Sequence, residues 1–143
     1  MAFPRTPLRE PQIMEDAVKL FFQNKSEASS LRSGHIAPES PYKWFLKDSN
    51  NYFKGLMDNL TPERVNLPRQ SFPSVYVPDG YIDILKSSVI LNSGTLHGDK
   101  MLVFESPLCV EIDTEDDFKY LEYQVKKTGS IILDHYNKKK WPF

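Results

Sequence analysis

The sequence predicts a single α/β domain that covers residues 1–143. Three observations support this prediction. Apolar residues recur at helical spacing near the beginning of the chain, short apolar runs typical of strands follow in its second half, and no internal repeat is present. A chain of 143 residues with 40% hydrophobic residues is large enough to bury one core. One globular domain is therefore expected.

The predicted helices are recognised by their starts and by their apolar faces. The first begins at Pro11, where a proline costs little because the N–H group that it lacks would have no partner in the first turn. Its apolar positions recur at helical spacing, at Ile13, Met14, Ala17, Val18 and Phe21. A short helix is expected from Lys86 to about Leu91, and a last helix opens at Thr114. The apolar face of the last helix comprises Phe118, Leu121 and Val125.

The strands are predicted from alternating or continuous apolar runs. Residues 42–47, YKWFLK, alternate ring or aliphatic side chains with lysines, as a half-exposed strand does. Within residues 74–85, a Pro-Asp-Gly stretch predicts a tight turn that leads into a strand from Gly80. The runs MLVFE, residues 101–105, and PLCVEID, residues 107–113, predict two further strands.

Residues 48–70 are rich in turn-forming sequences, namely DSNN, TPER and LPRQ, with an isolated glycine between the first two. This composition favours turns and an excursion from the core over regular structure. We therefore expect a protruding region in this part of the chain.

The composition excludes some classes of partner. Eighteen basic and nineteen acidic side chains leave a net charge of −1, so the chain lacks the positive charge that binds a phosphate backbone, and nucleic acid is not an expected partner. The start of the chain lacks the apolar stretch of a signal peptide, and nowhere do eighteen apolar residues run together, so no membrane association is expected. The single cysteine, Cys109, lies among apolar neighbours and suits a reducing compartment. A cytoplasmic protein is expected.

Two acidic residues, Glu111 and Asp113, precede the last helix. Side chains two apart in a strand project from the same face, with backbones roughly 6.5 to 7 Å apart, so the two carboxylates could converge on one hard cation. The alternative is that Asp113 or Thr114 caps the helix, that residues 115–117 complement the helix dipole, and that Glu111 is a solvated strand residue. The local pattern alone favours this alternative.

The three histidines, His35, His97 and His135, are too scattered to suggest a zinc site. Their spacing also supports no Ser/His/Asp or Cys/His arrangement of the kind that hydrolases use.

Four segments, in chain order, resemble motifs of the acylneuraminate cytidylyltransferases, the enzymes that make CMP-activated sialic, legionaminic and related nonulosonic acids. The segments are PRTPLREP, SPYKWF, LPRQSFPSVYVPDGYIDIL and VEIDTEDDF. The resemblance covers the C-terminal half of that family. It implies part of a nucleotide-diphospho-sugar transferase sheet, which is Rossmann-like, with a protruding dimerisation and substrate arm at approximately residues 42–70.

The resemblance also implies a reaction and its metal. Members of the family transfer CMP from CTP to the acid sugar and release pyrophosphate, with Mg²⁺ held against the nucleotide phosphates by two acidic residues. Those residues correspond to Glu111 and Asp113, which are therefore the expected catalytic and metal-binding residues. Glutamate replaces the family's aspartate at the first position but keeps an oxygen ligand.

Substrate contacts are implied at five further positions. Lys43 and Arg69, from the arm, correspond to cations that bind the carboxylated sugar, and Arg69 could grip the sugar carboxylate bidentately. Hydrophobic sugar contacts of the family fall on Leu96 and His97, and a tyrosine position falls on Asp83.

No segment of this sequence resembles the glycine-rich and basic CTP-binding loop that opens the family's N-terminal half. Two hypotheses follow. In the first, the chain supplies the metal carboxylates and the arm of a homodimeric cytidylyltransferase, and CTP is bound by a separate N-terminal half. In the second, the chain is a catalytically inactive homologue that acts as a sugar- or nucleotide-binding or dimerising module.

Overall fold

The computed structural model of the chain describes residues 7–138, apart from the side chain of Tyr136. Its described residues fall into two compact units. The first unit contains the residues up to His35 and those from Pro78 onward, and the second contains Ile36–Val77. The first of the four motif segments, residues 4–11, lies partly outside the described residues.

The described residues form four helices and five strands. In chain order they are α1 (Pro11–Gln23), β1 (Ser30–Ile36), β2 (Phe45–Lys47), β3 (Phe53–Gly55), β4 (Tyr76–Leu85), α2 (Ser87–Ser93), β5 (Met101–Glu105), α3 (Glu115–Thr128) and α4 (Ile131–Lys138). Three short 3₁₀ turns are also present, at Pro41–Lys43, Arg64–Asn66 and Arg69–Ser71. The predicted α/β class is confirmed at this level, since a small sheet is combined with helices.

The sheet of the first unit has three strands in the order β4-β1-β5. Strands β1 and β5 are parallel, with Ser30 opposite Met101 and Gly34 opposite Glu105. Because these strands are parallel, their carboxyl ends lie at the same edge of the sheet, which is where open α/β sheets place their ligands. The central strand β1 was not among the predicted strands.

The core of the first unit is formed where α1 packs on this sheet. Ala17 and Phe21 of α1 are buried with Ala28 and with Leu31 of β1. The partly buried residues that pack against this cluster are Leu20, Ile82, Ile84, Leu102 and Phe104. The predicted helix from Pro11 is confirmed, as are those expected near residue 86 and after Thr114.

The predicted tight turn at residues 78–80 is wrong, because β4 continues through it from Tyr76 to Leu85. The turn-forming residues are accommodated for two reasons. Strand β4 lies at an edge of the three-stranded sheet, where a proline is tolerated. The side chain of Asp79 is also buried against the sheet and is bonded there to Ser33.

The predicted strand at residues 107–113 is also wrong, because this segment has no regular secondary structure. Strand β5 ends at Glu105, and the Ser106 N–H still donates to the Gly34 carbonyl at 3.1 Å. The next residue is Pro107, which has no N–H group to continue the ladder. Continued parallel pairing would also need partners beyond Ile36, where β1 ends.

The second unit contains a short hairpin. Strands β2 and β3 are antiparallel, with Phe45 opposite Gly55 and Lys47 opposite Phe53. The strand predicted from residue 42 begins only at Phe45, because Pro41–Lys43 forms a 3₁₀ turn. A side chain at Gly55 would lie 2.4 Å from the Leu60 carbonyl oxygen, so glycine is required there. The region predicted to lack regular structure therefore contains one strand of this hairpin.

Among the described residues, no helix has both the length and the apolar character needed to cross a membrane.

Candidate functional site

Glu111 lies in the extended segment that follows β5, and its side chain is held by one backbone group. Its Oε1 atom accepts a hydrogen bond from the Gly80 N–H at 3.1 Å, and the residue is half-buried. Because the segment is not a strand, the expectation that Glu111 and Asp113 project from one strand face no longer has a structural basis. The position of Glu111 is set by Gly80 of β4 instead.

Asp113 is exposed and directly precedes the cap of α3. The cap itself is Thr114: its Oγ1 accepts from the Asp117 N–H at 3.2 Å, and its own N–H donates to Asp117 Oδ2 at 2.8 Å. Asp113 contributes its backbone N–H, which donates to the same Asp117 oxygen at 3.2 Å. The proposed alternative of a helix cap is thus confirmed for Thr114. The cap uses the backbone N–H of Asp113.

The capping bonds also affect the ionisation of Asp117. The hydrogen bond from the Thr114 hydroxyl, followed by those from the backbone N–H groups of Thr114 and Asp113, lowers the pKa of Asp117 below its ordinary value. Asp117 therefore stays anionic, and the first turn of α3 also contains the acidic residues Glu115 and Asp116. This charge complements the helix dipole but repels a phosphate that arrives without a cation.

The donor set at this edge suits a magnesium ion that is completed by a substrate. Within residues 7–138, no three His, Cys, Asp or Glu residues form a group that could hold a metal ion by themselves. Mg²⁺ is commonly held by one or two carboxylates together with substrate phosphates and water. By residue type, Glu111 and Asp113 are ligands of this kind.

Next to Gly80 lies a buried carboxylate that the sequence pattern does not indicate. Asp79 is 8% exposed. Its Oδ1 atom accepts from the Ser33 hydroxyl at 2.5 Å and from the Tyr81 N–H at 3.0 Å. Its Oδ2 atom accepts from the Ser106 hydroxyl at 2.5 Å and lies 3.2 Å from His35 Nδ1. We call these five residues the Asp79 network.

The network determines the ionisation of Asp79. Burial by itself raises the pKa of this carboxyl, but the hydrogen bonds from Ser106, Ser33, the Tyr81 N–H and His35 together outweigh burial, so its pKa lies below the ordinary 3.8. Asp79 is thus an anion at neutral pH. It offsets the cost of burying its charge by accepting hydrogen bonds.

The Asp79 network is not a hydrolase triad, although it contains serine, histidine and aspartate. In a triad the nucleophilic hydroxyl donates to the imidazole. Here the hydroxyls of Ser33 and Ser106 both donate to the carboxylate of Asp79.

The two predicted cations of the arm lie in the second unit and bind its backbone. Lys43 Nζ donates to the Leu67 carbonyl at 3.1 Å. Arg69 donates from Nη1 to the Pro38 carbonyl at 2.9 Å and from Nη2 to the Ala37 carbonyl at 2.6 Å. Both side chains thus hold loops of the second unit together.

Arg69 also lines a cleft of about 360 Å³ within the second unit. Ser40 lines the same cleft, and its hydroxyl is buried without a hydrogen-bond partner among the described residues. A buried polar atom without a partner is uncommon in proteins, because its desolvation is not offset. A polar group that enters this cleft would therefore find a hydroxyl and a guanidinium at its wall.

The remaining predicted substrate residues lie in the first unit. Asp83 forms an ion pair with Arg32, with 3.2 Å between Oδ1 and Nε. Leu96 is exposed, and the His97 carbonyl accepts from the hydroxyls of Ser29 and Ser30 at 2.6 and 2.8 Å.

These contacts place His97 at the amino end of β1, which begins at Ser30. The Asp79 network lies toward the carboxyl end of the same strand, at Ser33 and His35. Glu111 is held by Gly80, next to that network. The structure therefore does not bring Leu96 and His97 together with Glu111.

No protein-family model matches the chain, and no curated protein is significantly similar to it. The assignment to the cytidylyltransferases therefore remains a prediction from the order of four motifs.

Proposed function

We propose that the chain carries the magnesium-binding part of a cytidylyltransferase that transfers CMP from CTP to a nonulosonic acid and releases pyrophosphate. In this proposal the sheet β4-β1-β5 is part of a Rossmann-like nucleotide-diphospho-sugar transferase sheet. Glu111 and Asp113 are the metal-binding residues. The substrate arm, at approximately residues 42–70, belongs to the second unit, Ile36–Val77, and in the family the arm also makes a homodimer.

One observation carries the proposal: Glu111 and Asp113 follow the carboxyl end of β5 and immediately precede the N-terminus of α3. Ligands of open α/β sheets bind beyond the carboxyl ends of strands, and a helix N-terminus favours phosphate. This is the position at which the motif VEIDTEDDF would have to lie if it bound a nucleotide phosphate.

The proposed transfer of CMP depends on neutralising the negative charge of the CTP phosphates. Mg²⁺, when bound, neutralises the phosphates of CTP and favours the departure of pyrophosphate. Glu111 and Asp113 would hold it, and Gly80 orients Glu111 through its N–H. Because the first turn of α3 is acidic, a triphosphate is expected to approach this edge only as its magnesium complex.

The sugar carboxylate is assigned to Arg69 and its cleft. An arginine has five N–H donors, so a guanidinium that holds two carbonyls can still donate to a carboxylate. The buried Ser40 hydroxyl in the same cleft supplies a further donor. Lys43 adds positive charge in the same unit.

The proposal is tested by pyrophosphate release. The chain, mixed with an N-terminal half that carries the CTP-binding loop of the family, is expected to release pyrophosphate from CTP and a nonulosonic acid in the presence of Mg²⁺. Asp113→Ala is expected to lower the rate by at least about 100-fold, because one of two carboxylates that hold the metal is lost.

Asp116→Ala is the matched control. This variant removes an aspartate three residues further on, whose side chain pairs with Lys119 at 3.1 Å and is 91% exposed. Its rate should stay within about twofold of the wild type, since an exposed ion pair contributes little. Equal losses in the two variants, or full activity of Asp113→Ala, would refute the metal assignment.

A second candidate is a catalytically inactive homologue that binds a sugar or nucleotide or acts as a dimerising module. The observation that favours it is that Lys43 and Arg69 already donate to backbone carbonyls of their own chain. Calorimetry with CTP, CMP and sialic acid distinguishes the two candidates. Binding without pyrophosphate release in the mixture above would support the inactive module.

A further inference from the structure

The buried carboxylate of Asp79 lies one residue from the N–H group that holds Glu111. We propose that Asp79 is a positioning residue for Glu111, because it ties the backbone at Gly80 to the start of the segment that carries Glu111. The functional meaning of this inference rests on the proposed role of Glu111 as a metal ligand. The positioning itself can be tested without a metal.

The first connection runs through the backbone of β4. Asp79 Oδ1 accepts from the Tyr81 N–H at 3.0 Å, so the side chain bridges the peptide groups on both sides of Gly80. The Ser33 hydroxyl donates to the same oxygen and also accepts from the Ile82 N–H at 2.9 Å. The bond between Asp79 and the Tyr81 N–H fixes the direction of the Gly80 N–H, which donates to Glu111, whereas Ser33 ties this part of β4 to β1.

The second connection runs through Ser106. Its hydroxyl donates to Asp79 Oδ2 at 2.5 Å, and its N–H donates to Gly34 at the end of the parallel ladder. Ser106 is the first residue after β5, and the chain from Pro107 to Glu111 has no regular secondary structure. The hydroxyl of Ser106 is thus the side-chain anchor at the beginning of this segment.

The two connections meet on one carboxylate, so Asp79 fixes both the donor that Glu111 uses and the segment on which Glu111 lies. Hydrogen bonds to a charged group contribute more than neutral ones, and the bonds of Asp79 are buried. Loss of the Ser106 bond is therefore expected to loosen Glu111, whereas loss of the Ser33 bond affects the β1 side of the network.

Ser106→Ala and Ser33→Ala form a matched pair. Both serines are buried, and each hydroxyl donates to one oxygen of Asp79 at 2.5 Å. The Ser33 hydroxyl also accepts from the Ile82 N–H and contacts the Asp79 carbonyl oxygen at 3.4 Å, so its loss should destabilise the protein at least as much. If the contact of Glu111 is weakened by a general loss of stability, the weakening should be larger in Ser33→Ala. If it is weakened because the segment that carries Glu111 has lost its anchor, the weakening should be larger in Ser106→Ala.

The metal-independent readout is the amide proton shift of Gly80 in NMR spectra. When Glu111→Gln is introduced into the wild-type protein, the Gly80 signal is expected to move upfield, because an amide oxygen accepts more weakly than a carboxylate. When Glu111→Gln is combined with Ser33→Ala, the signal should move by the same amount. When it is combined with Ser106→Ala, the signal should move little. Equal retention or equal loss in the two backgrounds would overturn the positioning role of Asp79.

The second readout is the dissociation constant of Mn²⁺, measured by electron paramagnetic resonance on the full chain. Ser106→Ala should weaken binding about tenfold, as loss of outer-shell support commonly does, and Ser33→Ala by less than about twofold. If the wild type binds no Mn²⁺ while the Gly80 shift behaves as expected, the positioning role stands and the proposed metal function fails. Equal weakening in both variants overturns the positioning role.

If Ser106→Ala does not fold, Ser106→Cys serves in its place. A thiol is only a weak donor, so the bond to Asp79 Oδ2 is weakened while the side chain stays small. The Gly80 shift should therefore be reduced in Ser106→Cys and retained in Ser106→Thr, which keeps a hydroxyl. A full shift in Ser106→Cys would overturn the proposal.

Discussion

Asp79→Ala is expected to lower the free energy of unfolding by roughly 3–5 kcal/mol, one of the largest effects of any single substitution in the chain. The substitution removes an acceptor that four groups share, and it leaves the buried hydroxyls of Ser33 and Ser106 without their anionic partner. An unsatisfied buried donor loses its hydration without compensation. Urea unfolding followed by circular dichroism measures the change.

Asp83→Ala is the control for Asp79→Ala. Asp83 lies on the same strand, four residues further on, and its carboxylate pairs with Arg32 where both side chains are more than one-third exposed. Its loss should change the free energy of unfolding by about 0–1 kcal/mol. Similar losses in the two variants would show that the Asp79 network contributes no more than a surface ion pair.

The same network gives stability a dependence on acid pH. Since hydrogen bonds hold the pKa of folded Asp79 below the ordinary 3.8, its contribution to stability is present above that value and is lost as the pH falls through the folded pKa. The difference in unfolding free energy between the wild type and Asp79→Asn should therefore be largest at neutral pH. It should shrink below about pH 4.

Leu31→Ala is expected to cost about 2–5 kcal/mol, the range found for large-to-small substitutions in cores. Leu31 is 0% exposed, lies on the central strand β1 opposite Leu102, and belongs to the cluster with Ala17 and Phe21. A cavity at the middle of a three-stranded sheet has few neighbours that could move to fill it. Thermal or urea unfolding provides the measurement.

Leu91→Ala is the matched control for the core, since the same side chain is removed from a leucine on α2 that is 84% exposed. Its effect should stay within about 0.5 kcal/mol, because little apolar area is returned to water and alanine is a good helix former. A loss of the same size as that of Leu31→Ala would mean that the core does not lie where α1 meets β1.

The parts of the fold that could be predicted are those specified by local signals. Pro11 marks the first turn of α1, and Thr114 with Asp117 forms the capping box of α3, so both helix starts are encoded within four residues. The strand β5 is short and apolar, and it was predicted with its observed bounds. These elements require no knowledge of distant residues.

The central strand β1 could not be predicted, because its buried positions include serines. Ser30 and Ser33 are 0% and 1% exposed, and their hydroxyls bind the His97 carbonyl and the Asp79 carboxylate. Those partners lie 67 and 46 residues away in the chain, so a pattern of apolar alternation could not reveal the strand. The predicted turn at Asp79 failed for the same reason, since turn propensity was overridden by burial against distant donors.

The candidate site also has parts that the sequence predicts and parts that depend on distant contacts. Glu111 and Asp113 could be proposed from a motif, and their place before α3 was predicted correctly. The strand on which they were expected is absent, and the contact of Glu111 with Gly80 spans 31 residues. The Asp79 network lies on a Pro-Asp-Gly stretch that typically indicates a turn, so only the three-dimensional contacts identify it.

Whether Glu111 and Asp113 bind one divalent ion can be measured by the paramagnetic broadening of backbone amide NMR signals by Mn²⁺. When Mn²⁺ is added to the wild-type chain with CTP, the signals of residues 111–114 and of Gly80 are expected to broaden first. Both carboxylates would lie beside the ion, and the Gly80 N–H lies 3.1 Å from a Glu111 oxygen. Broadening centred elsewhere in the chain, or no selective broadening, would contradict the claim.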